Sequence, residues 1–390
     1  FKMHSGGYLD PKGYEGAHHF LEHLFFTQKL RNLYQKYLIE SNAFTSQDKI
    51  SFYTRGGFNT KVKDFGLQKV LKATVDSIIY PETLDNTESF EFSKEIILRE
   101  IDEFYADYRR YMFDELYKLT LVEDNPFYGS ALGYRESVIR ITPEIVKKVL
   151  NGHISTQNMI ATIFSEGNGA ESHELTNVVA DLLEKFPRTQ KVDEIKWENI
   201  AKTKKLPFGK TVRHSVKIQS NIVSINYVWM IPIEYLSKDD RITRLLGPFL
   251  SELFNIEGRE KGLGYSLYFY PRYFFPKSML ITASVLCPVE ELDKTQTRME
   301  QVVTTTLRRP LVDKQLFEEL LSTEKNRQSI EPIYSGGRMD TAYDSVKWFD
   351  LLFNSERMRE LFLELKENDL LTMLKKITDQ KPAIYILGNI

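Results

Sequence analysis

A short motif near the start of the chain holds residue types and a spacing that suit metal-dependent hydrolysis. His19, Glu22 and His23 form the pattern His-x-x-Glu-His. At about 100° per residue on a helix, His23 lies about 40° from His19 and Glu22 about 60° to the other side, so all three project from one face. Two imidazoles one turn apart can bind one metal ion, and the nearby carboxylate is placed beside a water on that metal. The motif therefore predicts a zinc site with Glu22 as general base.

An ordinary amphipathic helix is the alternative explanation, because two of the seven histidines can fall at this spacing without binding anything. The flanking residues favour a metal. Phe20, Leu21 and residues 24–26 make the segment apolar almost all round, so it should be buried, and buried His and Glu side chains need partners. His18 competes for the role of ligand, but it lies about 140° from His23 around the helix and is not expected to share an ion with it.

A zinc site of this kind needs a third protein ligand and an open fourth position. Residues 91–104 form a strongly helical stretch in which apolar side chains flank Glu100, so Glu100 is the first candidate. Glu103 shares a side of that helix with Glu100, and Glu95 is rotated well away. Both rivals are equally explained as solvated acids on an exposed face.

These residues resemble the motif of the pitrilysin and insulinase family of zinc metallopeptidases, in which a third glutamate ligand follows the second histidine at a similar distance. Glu100 follows His23 by 77 positions. The resemblance implies that His19, His23 and Glu100 bind one Zn²⁺ per chain and that Glu22 is the catalytic base.

Further segments extend the resemblance. Residues 42–45 (Asn-Ala-Phe-Thr) look like the family's Asn-Ala-x-Thr edge-strand signature, and residues 125–129, 132–133 and 157–159 continue it. One position departs from the pattern. Ser93 stands seven residues before Glu100, where many members have a glutamate thought to support catalysis, so the resemblance leaves the catalytic strength of this chain open.

The second half has His214 as its only histidine and no second His-x-x-Glu-His. Residues 259–265 resemble the family's Arg-Glu-Lys-x-Leu-x-Tyr segment, although the spacing is one residue shorter than in several members. The resemblance implies that Arg259 and Tyr265 bind substrate near the zinc, where Arg259 can hydrogen-bond a carbonyl or carboxylate and Tyr265 can donate to the developing oxyanion. The alternative is a surface arginine and a tyrosine at the start of a strand.

Hydrophobic periodicity predicts an α+β protein whose second half repeats the first in outline, each half a mostly antiparallel sheet packed against helices. The resemblance implies that the two halves are homologous. The predicted domains are 1–190 with the zinc site, a polar linker at 191–209, and 210–390 as a substrate-binding half without a metal site. The helix bearing Glu100 is expected to continue to about Leu121, and Thr142 with Pro143 is expected to begin another. The elements predicted for the second half are strands near 213–219, 222–231, 265–270, 279–286 and 383–387, and helices near 290–307, 313–327, 339–353 and 370–377.

Composition narrows the class of protein without identifying it. The net charge of −2 with both signs interspersed argues against nucleic acid or an anionic membrane as the principal partner. The single Cys287 forbids an internal disulfide and is compatible with a reducing compartment. No apolar run of about 18 residues predicts a membrane span. The chain opens without an initiator methionine, so a longer N-terminus is expected, and the compartment is predicted as cytoplasmic.

The resemblance implies a zinc endopeptidase in which the metal polarises a water and the scissile carbonyl, while Glu22 moves a proton from the water to the leaving amine. A substrate strand is expected to pair with the edge formed by Asn42, Ala43, Phe44 and Thr45, which predicts unfolded peptides as substrates and broad sequence tolerance.

Family members with two domains per chain commonly pair into assemblies of four domains, so the resemblance implies a homodimer or a heterodimer with a paralogous subunit. Two alternatives remain. A catalytically weak or inactive member would bind peptides or support a partner subunit, which Ser93 favours. An unrelated α+β protein would hold the metal structurally, but it would not explain why residues 42–45 and 259–265 fall in family order.

Overall fold

The structure is a computed structural model, and the description covers residues 1–56, 67–163, 169–189, 202–218, 220–233, 237–264, 267–274, 278–330 and 364–390. These residues form two compact units. The first holds the described residues up to 105 and from 126 to 189, and the second holds residues 106–125 and those from 202 onward. The predicted domain boundaries at 190 and 210 stay a prediction, since residues 190–201 lie outside the described ones.

The first unit contains a four-stranded antiparallel sheet. Its strands are β1 (Lys2–Met3), β2 (Glu40–Thr45), β3 (Ile50–Arg55) and β4 (Met159–Ile160), in the order β2-β3-β1-β4. Strands β2 and β3 form a hairpin in which Asn42 lies opposite Tyr53 and Thr45 opposite Ile50. Strand β2 is therefore an edge strand among the described residues, and its outer backbone can accept a further strand.

Helices cover this sheet. They are α1 (Ala17–Phe25), α2 (Gln28–Lys36), α3 (Leu67–Ile79), α4 (Thr87–Ala106), α6 (Arg135–Arg140), α7 (Pro143–His153) and α8 (Gly169–Leu183). Helix α1 lies at the centre of the core, because Phe20 stacks on Phe90 of α4 with ring centroids 4.5 Å apart and Phe25 meets Phe52 of β3 edge-on at 4.9 Å. Packing on both sides fixes the position of α1.

The second unit contains a five-stranded sheet. Its strands are β5 (Thr211–Ser215), β6 (Ile222–Pro232), β7 (Leu267–Phe274), β8 (Ser278–Pro288) and β9 (Ala383–Gly388), in the order β5-β9-β6-β8-β7. Only β5 and β9 pair in parallel. The helices are α5 (Tyr108–Thr120), α9 (Lys238–Glu260), α10 (Leu292–Val312), α11 (Lys314–Ile330) and α12 (Glu367–Asp379). The prediction of an α+β fold with mostly antiparallel sheets is confirmed.

The predicted long helix through Glu100 to about Leu121 is wrong. Helix α4 ends at Ala106 and α5 begins at Tyr108. The Asp107 carboxylate accepts hydrogen bonds from the backbone N–H groups of Arg109 and Arg110, at 3.1 and 3.4 Å, and so caps a new helix. Helix α5 then packs in the second unit, which the sequence did not predict, because Phe113 meets the rings of Tyr268 and Tyr270 on β7.

Helix α9 was missed from the sequence. Gly247 and Pro248 stand in the middle of it, and this pair is typical of a turn. A side chain at position 247 would place its Cβ 2.8 Å from Cγ of Pro271, so the glycine is required by close packing against β7. Elsewhere the prediction that Thr142 and Pro143 begin a helix is confirmed, although the Thr142 side chain makes no capping hydrogen bond. The helix predicted near 339–353 lies outside the described residues.

In the part of the chain that the structure describes, no helix is both long enough and apolar enough to cross a bilayer.

Candidate metal centre

Helix α1 begins at a tightly packed turn. Gly16 precedes it with φ of 99°, and a Cβ on Gly16 would lie 2.8 Å from the carbonyl oxygen of Leu132. The Asp10 carboxylate takes the place of a local cap, since it accepts hydrogen bonds from the backbone N–H groups of Gly16 (2.6 Å) and His18 (2.9 Å). A carboxylate at this end of a helix also interacts favourably with the helix dipole. The position of the motif helix is thus set by residues from several loops.

Three side chains meet at the surface of α1. Nε2 of His19 and Nε2 of His23 are 3.1 Å apart, and Glu100 Oε2 of α4 lies 3.4 Å from the first and 3.3 Å from the second. Within the described residues, this is the one group of three or more His, Cys, Asp or Glu side chains close enough to hold a metal ion. The structure thus brings together the three side chains that were predicted as ligands from the sequence.

The donor set fits zinc. Zinc binds imidazole nitrogen and carboxylate oxygen at about 2.0–2.2 Å in tetrahedral sites, which places neighbouring donor atoms roughly 3.3–3.5 Å apart. The observed separations of 3.1–3.4 Å agree with one face of such a tetrahedron. A fourth position is then left for a water or a substrate atom, as in catalytic sites.

The charge of Glu100 favours the binding of a cation by this group. The pKa of Glu100 lies well below its usual range, first because His19 hydrogen-bonds the carboxylate and then because His23 does, while partial burial opposes the shift. Glu100 is therefore ionised at neutral pH. Its side chain is 41% exposed, whereas that of His19 is 7% exposed, so the group opens towards solvent on the Glu100 side.

One atom departs from the usual surroundings of a metal-bound histidine. Nδ1 of His19 is buried and has no hydrogen-bond partner among the described residues, whereas ligand histidines commonly donate this second N–H. The fit therefore depends on the three converging atoms and not on an outer hydrogen bond to His19.

The rival ligands lie elsewhere. Glu95 and Glu103 are exposed, and neither belongs to the converging group. His18 is fully buried and directed away, with Nδ1 2.6 Å from Asp10 Oδ1 and Nε2 2.9 Å from Nδ1 of His153 on α7. Ser93 is buried and donates its hydroxyl to the Ser89 carbonyl at 3.0 Å, so it brings no charge to the site.

Asp10, His18 and His153 form a hydrogen-bonded network that sequence reasoning missed. It joins the loop before α1, helix α1 itself and helix α7. Burial lowers the pKa of His153 to about 4, and the neighbouring His18 adds to the shift. The sequence carries no spacing signal for this network, because its members meet only through the packing of α1 against α7.

Glu22 faces the edge strand of the sheet. Thr45, the last residue of β2, donates its hydroxyl hydrogen bond to Glu22 Oε2 at 2.6 Å. Of the other residues predicted to bind substrate, Ala43 is buried, Phe44 is 43% exposed, and the exposed Asn42 accepts a hydrogen bond from the Ala43 N–H. The strand stands at the sheet edge, as its predicted role requires, and that role stays a prediction.

Two substrate-binding residues were predicted in the second half of the chain. Arg259 is exposed in the last turn of α9, in the second unit. Tyr265 lies outside the described residues. Their predicted contacts with substrate stay predictions.

Comparison with known proteins agrees with the site. Residues 1–128, which contain the converging side chains and β2, match the sequence profile of the family described as Insulinase (Peptidase family M16). This first third of the chain is therefore similar in sequence to the insulinase family. A single protein that the chain resembles in sequence is the mitochondrial-processing peptidase subunit beta of Saccharomyces cerevisiae, 28% identical over 169 residues. That alignment covers 41% of this chain and 33% of the yeast subunit, so this chain matches a third of its relative's length.

Solved structures show that the fold extends over the whole chain. A protease from Helicobacter pylori superposes with a TM-score of 0.76 at 16% identity, covering 99% of this chain and 92% of the other. A peptidase M16 inactive domain from Pseudomonas fluorescens gives a TM-score of 0.77 at 14% identity, covering 100% and 91%. These likenesses establish an M16-type fold for this chain.

Proposed function

We propose that this chain is a zinc-dependent endopeptidase that hydrolyses unfolded peptides. The observation that carries the proposal is the convergence of His19 Nε2, His23 Nε2 and Glu100 Oε2 within 3.4 Å of one another. Glu22 lies on the same helix as the two histidines. The match of residues 1–128 to a peptidase family supports the same reaction.

Each protein group has a defined part in this reaction. His19, His23 and Glu100 hold the zinc ion, which when bound supplies a Lewis acid that lowers the pKa of a water and polarises a carbonyl. Glu22 takes the proton of the attacking water on Oε1, since Thr45 occupies Oε2, and returns it to the nitrogen of the leaving amine. The ionised state of Glu100 keeps a negative ligand in place to balance the metal charge.

The substrate is an extended peptide that adds to the β2 edge. Strand β2 has β3 on one side and no other strand partner among the described residues. Backbone N–H and C=O groups at its outer edge can pair with any extended chain, which gives affinity without strong side-chain selection. Folded proteins cannot present such a strand, so unstructured peptides are the preferred substrates.

The chain acts as a dimer, either with a second copy or with a paralogous subunit. The name of the yeast relative describes a subunit, which supports a partner for this chain as well. Measuring the mass of the purified protein in solution distinguishes a homodimer from a monomer that awaits another subunit.

A second candidate is an inactive member that binds peptides without cleaving them. Ser93 supports it, because a buried hydroxyl bonded to its own helix replaces a carboxylate common in the family. The Pseudomonas fluorescens neighbour is described as an inactive domain, so the fold alone does not distinguish the two functions.

The deciding experiment incubates the purified protein with a mixture of unstructured peptides of about 10–40 residues and identifies the products by mass spectrometry. We expect cleavage at internal bonds that is lost in Glu22→Gln and in the presence of a chelator, while Glu22→Gln still binds one zinc ion per chain. Zinc at one per chain with no cleavage by the wild type would favour the inactive peptide-binding candidate.

A further inference from the structure

The Thr45 hydroxyl makes the one side-chain hydrogen bond to Glu22 within the described residues. Its Oγ1 lies 2.6 Å from Glu22 Oε2, which is the short separation typical of a hydroxyl donating to an ionised carboxylate. A glutamate has three side-chain torsions, so a free carboxylate at this position would sample several orientations. The bond to Thr45 removes that freedom.

Thr45 is itself held firmly. It ends β2 opposite Ile50, and the following turn is closed by a hydrogen bond from Ser46 N to Lys49 O at 2.8 Å. The Gly7 N–H donates to Ser46 O at 3.0 Å and ties the turn to the loop that precedes α1. The hydroxyl therefore projects from a rigid support, which is what accurate placement of a reacting group requires.

The contact joins two parts of the proposed site. Glu22 belongs to the helix that carries the two histidines, and Thr45 belongs to the strand to which the peptide is proposed to add. Alternation along β2 directs Ser41, Ala43 and Thr45 to the face covered by α1, while Asn42 and Phe44 face the other way. One hydrogen bond thus fixes the base relative to the strand that sets the position of the peptide.

We propose that Thr45 is the positioning residue of the general base: its hydroxyl orients the Glu22 carboxylate so that Oε1 faces the water and the scissile bond of a peptide paired with β2. This inference rests on the proposed peptidase function. It assigns the Thr45 side chain to Glu22 and leaves only the Thr45 backbone for the peptide.

Two substitutions at position 45 distinguish the effect of the hydroxyl group from the effect of side-chain shape on the strand. Thr45→Val keeps the β-branched shape and the strand preference and removes the donor. Thr45→Ser keeps the donor and removes the methyl group. Ser41→Ala is the matched control, because Ser41 has a hydroxyl on the same face of β2 that donates to Tyr53 O, at 3.0 Å, and not to Glu22.

Steady-state cleavage of one peptide is measured for the four proteins, together with zinc content. We expect Thr45→Val to lower kcat by about 10- to 100-fold with KM changed by less than about threefold, as for substitutions that misplace a catalytic group. Thr45→Ser should keep at least about a third of the wild-type kcat, Ser41→Ala should match the wild type, and all four should bind one zinc ion per chain. Equal losses in Thr45→Val and Thr45→Ser, or wild-type kcat in Thr45→Val, would overturn the proposal.

A measurement without turnover tests the same contact. Crystal structures of the wild type and of Thr45→Val are compared at the Glu22 side chain. We expect one Glu22 orientation in the wild type and a different or divided orientation in the variant; an unchanged Glu22 carboxylate in Thr45→Val overturns the proposal whatever the kinetics. If the wild type cleaves no peptide, the proposed function fails, and this comparison still decides whether Thr45 positions Glu22.

Discussion

Glu100 Oε2 lies 3.3 Å from His23 Nε2 although the two residues are 77 positions apart in the sequence. The two histidines share one helix, so their spacing is a local property of α1. Glu100 reaches them only because α4 packs beside α1, where Phe90 stacks on Phe20. The third member of the group is therefore the one whose contribution depends on tertiary structure.

Replacing this carboxylate should weaken zinc binding with little effect on folding. Glu100→Gln keeps the size of the side chain and removes its charge, so a ligand is lost while the partly exposed site stays hydrated. We expect the zinc affinity to fall by more than about 100-fold, since changes to outer partners of metal ligands alone cost about 10–100-fold. Competition with a chromophoric chelator measures the affinity directly.

Glu103→Gln is the matched control for that experiment. Glu103 is exposed on the same helix and lies outside the converging group, so its substitution should leave zinc affinity unchanged. Full zinc binding by Glu100→Gln, or an equal loss in Glu103→Gln, would remove Glu100 from the candidate ligands.

The sequence predicted the parts of the site that are local. The period of an α-helix is enough to place His19, Glu22 and His23 on one face, and a family resemblance was needed to select Glu100 over Glu103. The contact of Thr45 with Glu22 left no spacing signal, because it arises only where a strand end meets a helix in three dimensions.

The fold shows the same limit. Alternating and helical patterns located most strands and helices, including the start of α7 at Pro143. These patterns failed at residues whose usual structural preference differs from the role that tertiary structure gives them. Asp107 suits a helix interior poorly but caps α5 well, and Gly247 is typical of a turn although close packing against Pro271 places it inside α9.

The turn before α1 should be intolerant of any side chain. Gly16 has φ of 99°, and a Cβ there would meet the Leu132 carbonyl at 2.8 Å, which backbone movement alone can relieve. We expect Gly16→Ala to destabilise the protein by about 1–3 kcal/mol and to weaken zinc binding through displacement of α1. Urea unfolding and zinc titration measure the two effects.

Gly152→Ala provides the contrast. Gly152 lies in α7, and nothing lies within 4 Å of where its Cβ would be. Alanine is preferred over glycine inside a helix, so this variant should be more stable by about 0.5–1 kcal/mol. If Gly16→Ala proved as stable as Gly152→Ala, the close approach at residue 132 would not be a constraint on α1.

Acid should destabilise the packing of α1 against α7 through His153. Its pKa falls from 6.5 to about 4 on folding, first through burial and then through the neighbouring His18. The unfolded chain therefore binds a proton between pH 6.5 and pH 4 that the folded chain does not, so stability is highest above pH 6.5 and declines as the pH falls to 4. Because the His153 ring is partly exposed, the free energy of unfolding should fall by about 2 kcal/mol over this pH range.

The contribution of His153 is isolated by difference. The urea midpoint is measured from pH 8 to pH 4 for the wild type and for His153→Gln, which cannot take up the proton. We expect the variant to lose less stability over this range than the wild type. His173→Gln, at an exposed position on α8, should retain the wild-type pH dependence; the same dependence in His153→Gln would show that His153 is not the group responsible.

The second unit should depend on the ion pair between Glu257 of α9 and Arg309 of α10. Glu257 Oε1 lies 2.5 Å from Arg309 Nη1, and its side chain is 5% exposed. Arg309→Met would leave a buried carboxylate without its partner, which costs more than the pair contributes, so we expect a loss of about 2–3 kcal/mol. Hydrogen exchange of the α9 and α10 amides reports the loss locally. The double variant Glu257→Leu with Arg309→Met should recover most of it, because the destabilising element is the unpaired charge and not the missing contact; a double variant no more stable than Arg309→Met would contradict this explanation.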